Sequence, residues 1–264
     1  MTDPARGADP TGDGVRVADD DGVRTVTLDR PARLNAFTAS SYRALASALD
    51  AAAADDTVRV VELVGAGRAF SSGVDLDALA DAADQDEFRD AFAVLLRALT
   101  EFPKPLVAGV RGAAVGFGTT LLLHADVVLV ADDARLRMPF TALGTAPEAA
   151  SSVLLPAVVG PQRAAELLFT SRWIDASEAV RSGLAARRCA TGDLPAELRS
   201  LTREIAAQPP AAVAAAKRLL RSGRAELVRA ALQREDDAAR ALRSELGPLS
   251  RARAATSKRG VTDR

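Results

Sequence analysis

Alternation between strand-forming and helix-forming segments is the feature that most restricts the fold of this chain. Apolar runs predict strands in TVRVVELVG (57–65) and LVAGV (106–110), and a buried strand in VVLVA (127–131). Helix-forming segments separate them, one capped at Thr38 and one, EFRDAFAVLLRALTEF, with an amphipathic pattern. From about residue 153 to residue 246 the patterns are mostly helical. Strands alternating with helices are typical of an α/β fold, here with a helical C-terminal part.

The length of 264 residues suits either one large domain or one domain with a smaller appendage. We expect a disordered leader over 1–14, which is polar and rich in Gly, Pro and Asp. A core of alternating elements then covers 15–200, a helical C-terminal part covers 201–250, and a flexible tail covers 251–264.

Charge and composition exclude several classes of function. The 34 basic and 35 acidic residues give a net charge of −1, so no nucleic-acid or membrane partner is expected. The N-terminus lacks the basic start and apolar stretch of a signal peptide, and no run of about 18 apolar residues exists, which predicts a cytoplasmic protein. With one cysteine, Cys189, and one histidine, His124, no disulfide framework and no metal site is expected.

Two glycine-rich turns are the first candidates for a functional site. Gly73 in one turn, and Gly116 and Gly118 in the other, follow strands and open helical segments. Glycine lets a ligand approach the backbone, and N–H groups at helix starts favour negative charge. Two such turns facing each other would form an oxyanion hole. The alternative is that both are only tight connections.

Three motifs share one arrangement: RPARLNAF (30–37), GAGRAFSSGVDLDAL (65–79) and the segment from KPLVAGV to LPAVVG (104–160). Over roughly residues 15–220 the chain resembles the enoyl-CoA hydratase/isomerase (crotonase) superfamily. The resemblance implies a spiral of ββα turns that forms two nearly perpendicular sheets. It also implies a helical C-terminal part used for trimerisation, and a homotrimer or a dimer of trimers. The implied ligand is an acyl-CoA thioester, with no cofactor other than the CoA of the substrate.

The resemblance also assigns the two oxyanion donors. They are the backbone N–H groups of Val74 and Phe117, which would hold the thioester carbonyl. The family often has glycine at the position of Phe117, but a backbone donor does not depend on the side chain, and the ring is free to shape the acyl pocket.

The acidic residues separate the family from its best-known reaction. Hydratases carry two glutamates where this chain has Thr120 and Phe140. Because water addition uses two acids for its proton transfers, ordinary hydration is disfavoured. The stretch PFTALGTAPEAASSVLLPAVVG instead resembles peroxisomal-type Δ3,Δ2-enoyl-CoA isomerases, in which one glutamate moves a proton from C2 to C4. Glu148 holds that place. An apolar pocket would raise its pKa and a helix start would lower it.

Several alternatives stay open at this point. Pro147-Glu148 is also a common helix opening without chemistry. The chain could instead catalyse a hydratase-like reaction, thioester hydrolysis or decarboxylation with the same oxyanion hole. It could also be a non-catalytic acyl-CoA-binding protein. His124 is interpreted as a packed structural histidine.

Residues for substrate binding follow mainly from the resemblance. Arg33 is expected near the CoA phosphates, and Lys217 is a further candidate for a phosphate contact. Backbone around Ala69, Ser71 and Val74 would border the pantetheine and adenine. Asp75 is predicted to cap the helix that follows it. The remaining substrate-binding candidates belong to the two turns or to the predicted pocket wall: Gly73, Asp75, Leu76, Gly116, Gly118, Thr120 and Phe140.

Overall fold

The structure, a computed structural model, describes residues 13–80 and 85–262. The leader predicted over 1–14 therefore lies almost entirely outside the described residues, and the division of the chain into domains stays a prediction.

Strands and helices alternate in the first two thirds of the chain, as the sequence predicts. The described strands are, in chain order, β1 (Val15–Asp20), β2 (Val23–Leu28), β3 (Val60–Gly65), β4 (Leu106–Val110), β5 (Ala113–Val115), β6 (Val127–Ala131), β7 (Arg135–Arg137), β8 (Ile174–Asp175) and β9 (Arg187–Cys189). The described α-helices are α1 (Ala39–Ala54), α2 (Leu76–Ala80), α3 (Gln85–Glu101), α4 (Phe117–Thr120), α5 (Ser151–Val159), α6 (Pro161–Thr170), α7 (Ala176–Arg181), α8 (Leu194–Ala206), α9 (Pro210–Ser222) and α10 (Ala225–Thr262).

Six strands form the larger sheet, in the order β1-β2-β3-β4-β6-β9. β1 and β2 pair antiparallel around a turn at Asp21 and Gly22, and every other neighbouring pair is parallel. Both turn residues have positive φ, which the sequence Asp-Asp-Gly permits. The helices that connect the parallel strands lie on the faces of the sheet, and the predicted α/β class is confirmed.

A second sheet contains only short strands, in the order β5-β7-β8. The sequence did not predict these strands, nor β9 at the edge of the larger sheet. Each spans two or three residues, which is too short to establish an alternating pattern. Their pairing depends on the strands beside them, as when Ala113–Val115 pairs with Arg135–Arg137.

Helix α1 begins where the sequence predicts. The hydroxyl of Thr38 accepts the N–H of Ser41 at 3.2 Å, and the hydroxyl of Ser41 accepts the N–H of Thr38 at 2.8 Å. This reciprocal pair satisfies two N–H groups that the helix itself leaves unpaired. Tyr42, Leu45 and Leu49 form the predicted buried face. They belong to the main core on one face of the larger sheet.

Helix α8 covers the other face of the larger sheet. Leu194, Leu198 and Leu201 form a second core with residues of β3, β4 and β6 such as Val60 and Val107. The chain is then helical to Thr262, so α10 includes residues 251–262 of the segment predicted as a flexible tail. Arg and Ala, both good helix formers, are frequent in that segment. None of the described helices is both long and apolar enough to span a membrane.

Candidate active site

The two glycine-rich turns lie directly against each other. Ser71 forms a parallel bridge with Ala114, and the N–H of Val115 donates to the Ser71 carbonyl at 2.9 Å. Gly73 has φ +84°, and a Cβ there would lie 2.4 Å from the Val115 carbonyl oxygen and 3.4 Å from the Phe117 nitrogen. Only glycine fits this contact, which brings the two predicted oxyanion donors to one place.

The local backbone pairing leaves the N–H groups of both predicted donors without a partner in the adjoining element. Phe37 pairs with the chain on either side of Val74, because its N–H donates to Gly73 and its carbonyl accepts from Asp75. The N–H of Val74 therefore points to the opposite side of this bridge. Phe117 is the first residue of α4, where an N–H has no partner within the helix.

Asn35 organises the first turn, and the sequence analysis did not single it out. Its side-chain nitrogen donates to the carbonyls of Ala66 and Ala69 at 2.9 Å and to that of Phe70 at 3.2 Å. Asn35 itself is buried, with φ +55°. Asparagine tolerates this left-handed conformation, so its place in RPARLNAF was the available signal.

Ser71 extends this support to the oxyanion turn. Its hydroxyl donates to the Asn35 carbonyl at 2.8 Å and accepts the Gly73 N–H at 3.1 Å. Ser71 and Ala69 are both buried, so their contribution to a ligand site is through backbone position.

Glu148 lies against the short helix that begins at Phe117. The hydroxyl of Thr120, the last residue of α4, donates to Oε1 of Glu148 at 2.5 Å. The same hydroxyl lies 3.5 Å from the carbonyl oxygen of Phe117. The structure thus brings together the predicted base Glu148, Thr120, and the predicted oxyanion donor Phe117.

The surroundings of Glu148 favour its protonated form. Burial, the largest influence, raises the pKa of its carboxyl to about 8; the Thr120 hydrogen bond opposes this change and the charge of Glu235 adds to it. The sequence left open whether an apolar pocket or a helix start would decide this pKa; here burial raises it, and the opposing influence is the Thr120 hydrogen bond. A carboxylate with a pKa near neutral is suited to accept and return protons.

The helix-opening interpretation of Glu148 is wrong. Helix α5 begins at Ser151, and the residues between are Ala149 and Ala150, with φ of +60° and +58°. Glu148 is therefore outside the first helical turn. Two consecutive non-glycine residues in the left-handed region form a strained turn, which persists only where its surroundings hold it.

His124 holds one side of this strained turn. Its Nε2 lies 2.8 Å from the Ala149 carbonyl oxygen, and because a carbonyl only accepts, Nε2 carries the proton. Burial lowers the pKa of the His124 ring to about 4, so the ring is neutral at physiological pH. The prediction of a packed structural histidine agrees with this arrangement.

The other predicted binding residues differ in their accessibility. The side chain of Arg33 is 63% exposed and lies 3.7 Å from Asp77. Asp75 caps α2, as predicted, through the N–H of Asp77 at 3.2 Å, and it also pairs with Arg30 at 3.2 Å. Among the pocket residues, Leu76 is half-buried and Phe140 is buried.

Lys217 does not lie where a phosphate could reach it. Its side chain is 6% exposed, and its ammonium pairs with Asp126 at 2.7 Å and lies over the ring of Phe102. It also donates to the carbonyl of Lys104. This placement disagrees with the expected phosphate contact. The ammonium is already held in the interior by Asp126 and by the Lys104 carbonyl, and a buried charge needs partners of this kind. Its position in the apolar pattern AVAAAKRLL was the signal for burial.

The arrangement combines one half-buried carboxyl group, that of Glu148, with the two predicted backbone donors. It can remove a proton next to a carbonyl whose developing negative charge the donors stabilise. Within residues 13–80 and 85–262, no group of three or more His, Cys, Asp or Glu side chains could hold a metal ion.

The family model for enoyl-CoA hydratase/isomerase matches residues 18–246. The chain is 35% identical over 227 residues to enoyl-CoA delta isomerase 2 of Rattus norvegicus, covering 84% of this chain and 58% of the relative. It is 36% identical over 211 residues to a probable enoyl-CoA hydratase of Rhodobacter capsulatus, covering 79% and 81%. The chain thus spans less than two thirds of the rat relative and most of the bacterial one.

A solved structure has the same fold. The enoyl-CoA hydratase/isomerase of Pseudoalteromonas atlantica superposes with a TM-score of 0.83 at 36% identity, covering 87% of this chain and 91% of the other. Because the family model spans most of the chain and the fold agrees with that structure, this chain belongs to the enoyl-CoA hydratase/isomerase (crotonase) family of acyl-CoA enzymes.

Proposed function

We propose that the protein is an isomerase that converts a 3-enoyl-CoA into the conjugated 2-enoyl-CoA. Glu148 removes a proton from C2, the N–H groups of Val74 and Phe117 stabilise the enolate oxygen of the thioester, and Glu148 returns the proton at C4. One base serves both transfers, so no second acid is needed. The single observation that carries this proposal is the half-buried Glu148 carboxylate, hydrogen-bonded by Thr120 on the helix that begins with Phe117.

Hydration is less well supported by the same site. Its two-acid mechanism needs a carboxylate at the positions of Thr120 and Phe140, and neither residue is an acid. The named relatives include both an isomerase and a probable hydratase, so their names do not distinguish the two reactions. The residues of the site favour the isomerase. Thioester hydrolysis, decarboxylation or simple acyl-CoA binding are outcomes of the test.

A turnover assay with a medium-length 3-enoyl-CoA tests the proposal. Formation of the conjugated thioester is followed by absorbance, and the mass of the product is measured by mass spectrometry. Isomerisation leaves the mass unchanged, hydration adds one water, and hydrolysis or decarboxylation releases a fragment. Glu148→Gln should lower kcat by about 100-fold or more and retain acyl-CoA binding. Full turnover in that variant, or no conjugation with bound CoA thioester, would exclude this mechanism.

The proposal extends to the CoA contact and to the assembly of the protein. The exposed Arg33 is the candidate for the CoA phosphates, and Arg33→Ala should weaken acyl-CoA binding. A homotrimer or a dimer of trimers is supported by the family and by large exposed apolar side chains, Phe169, Leu219 and Leu220. Light scattering measures the assembly directly.

A further inference from the structure

The last helix of the chain reaches back to the turn that carries Glu148. Glu235 of α10 is 6% exposed. Its Oε2 accepts the N–H of Ala150 at 2.7 Å, and its Oε1 accepts the N–H of Ser152 at 2.8 Å. One carboxylate therefore caps the start of α5, immediately after Glu148. Charge-assisted bonds from backbone N–H groups at a helix start are among the stronger hydrogen bonds in proteins.

This contact holds the second side of the strained turn. Ala149 and Ala150 both have left-handed backbones, and His124 binds the carbonyl of Ala149. Glu235 binds the N–H of the next residue, Ala150. The two side chains come from distant parts of the chain and fix the backbone of the turn from opposite directions. A turn of this kind needs such contacts to persist.

Glu235 also acts on Glu148 through its charge. The two carboxyls are close enough for the charge of Glu235 to favour protonation of Glu148. Tyr42 also faces Glu148, but its buried hydroxyl is uncharged at neutral pH because burial raises its pKa well above the ordinary value. His124, which contacts the adjoining Ala149, is neutral. On its own helix, Glu235 is opposed by Arg234.

We propose that Glu235 is a positioning residue, through which the C-terminal helix fixes the orientation of the catalytic base and places a negative charge near it. It makes its contacts with the backbone after Glu148 and acts through that residue. The inference rests on the proposed role of Glu148 as the base. It implies that α10 is part of the catalytic machinery in addition to any role in assembly.

Three variants separate position from charge. Glu235→Ala removes both accepted hydrogen bonds, and we expect kcat to fall about tenfold or more with KM changed less than about twofold. Glu235→Gln keeps one acceptor oxygen and removes the charge. It should recover part of kcat and move the rise of kcat with pH to lower pH by about half a unit or more. Asp237→Asn, on the exposed side of the same helix, removes an equal charge and should change neither quantity.

A measurement that needs no turnover completes the test. The carboxyl of Glu148 is titrated by NMR in protein labelled with ¹³Cδ-glutamate, and its signal is assigned by its loss in Glu148→Gln. We expect Glu148 to titrate at lower pH in Glu235→Gln than in wild type. If the wild type fails to isomerise 3-enoyl-CoA, the proposed function is wrong, and this titration still decides the role of Glu235.

The proposal is overturned if a folded Glu235→Ala protein keeps the kcat of the wild type, or if a folded Glu235→Gln protein titrates at Glu148 as the wild type does and has an unchanged pH profile. Circular dichroism and thermal unfolding establish that each variant is folded. If Glu235→Ala does not fold, the Gln variant decides alone, because it retains one of the two contacts.

Discussion

Thr120 donates a 2.5 Å hydrogen bond to the carboxylate of Glu148. Family resemblance aligns Thr120 with one of the two hydratase glutamates, so at this position the chain has a hydrogen-bond donor to Glu148 in place of an acid. A donor favours the charged form of a carboxylate and partly offsets the burial that raises its pKa. The Thr120 hydrogen bond therefore limits the rise in the pKa of Glu148 that burial causes.

The first prediction removes that donor. Thr120→Val keeps a similar shape but cannot donate, so the pKa of Glu148 should rise further above its ordinary value. The sign follows from the base role: a higher pKa leaves less carboxylate at neutral pH. We expect kcat/KM at pH 7 to fall and its rise with pH to move to higher pH. Thr120→Ser, which keeps the hydroxyl, serves as the control. The same profile in all three proteins would contradict the prediction.

The second prediction concerns the contact between the two oxyanion turns. Gly73→Ala places a Cβ 2.4 Å from the Val115 carbonyl oxygen, at a backbone φ of +84°. The two turns must move apart, and loss of one oxyanion donor typically lowers the rate by about 100-fold to 1,000-fold. We expect a loss of that order in kcat. Gly192→Ala is the matched control, since a Cβ there meets nothing within 4 Å. Equal kcat in both variants would be inconsistent with the oxyanion role.

Local patterns in the sequence predicted much of the fold and part of the site. The capping sequence from Thr38 to Ser41 and the apolar runs of β3, β4 and β6 involve residues close along the chain, so their structure follows from local preferences. The glycines at 73 and 116 likewise have positive φ, as turns of this kind require.

Contacts between distant segments could not be predicted in this way. Glu235 meets the turn after Glu148 across more than 80 residues, and no local pattern marks it. For Lys217 the apolar pattern around it could have indicated burial, but its partner Asp126 lies 91 residues away and is visible only in the tertiary structure. Local patterns therefore located the chemistry, whereas the supporting contacts required the tertiary structure.

The third prediction distinguishes a structural lysine from a phosphate contact. Lys217→Met removes one partner of the Lys217–Asp126 pair, leaving Asp126 with Arg221 at 3.3 Å. Because Arg221 remains, we expect a loss of about 1–3 kcal/mol in the free energy of unfolding, less than for a fully buried pair. Denaturant unfolding measures this loss.

Acyl-CoA binding provides the control for Lys217. In the folded Lys217→Met protein the Kd for an acyl-CoA should stay within about twofold of wild type, because the ammonium is not exposed to the ligand. A large loss of affinity with unchanged stability would return Lys217 to the phosphate role.

The last prediction concerns the pH dependence of stability through His124. Its pKa is about 4 in the folded protein against an ordinary 6.5, so between these values the unfolded chain binds the proton more readily. Stability should therefore fall as pH decreases from 6.5 toward 4, by up to about 1.4 kcal/mol per pH unit from this group.

Carboxyl groups also titrate in this pH range, so the measured quantity is the difference in stability between wild type and His124→Gln. Glutamine keeps an N–H donor for the Ala149 carbonyl and does not titrate. The variant should lose less stability than wild type as the pH falls from 6.5 to 4, and a constant difference between the two proteins over this range would show that His124 is not buried in its neutral form.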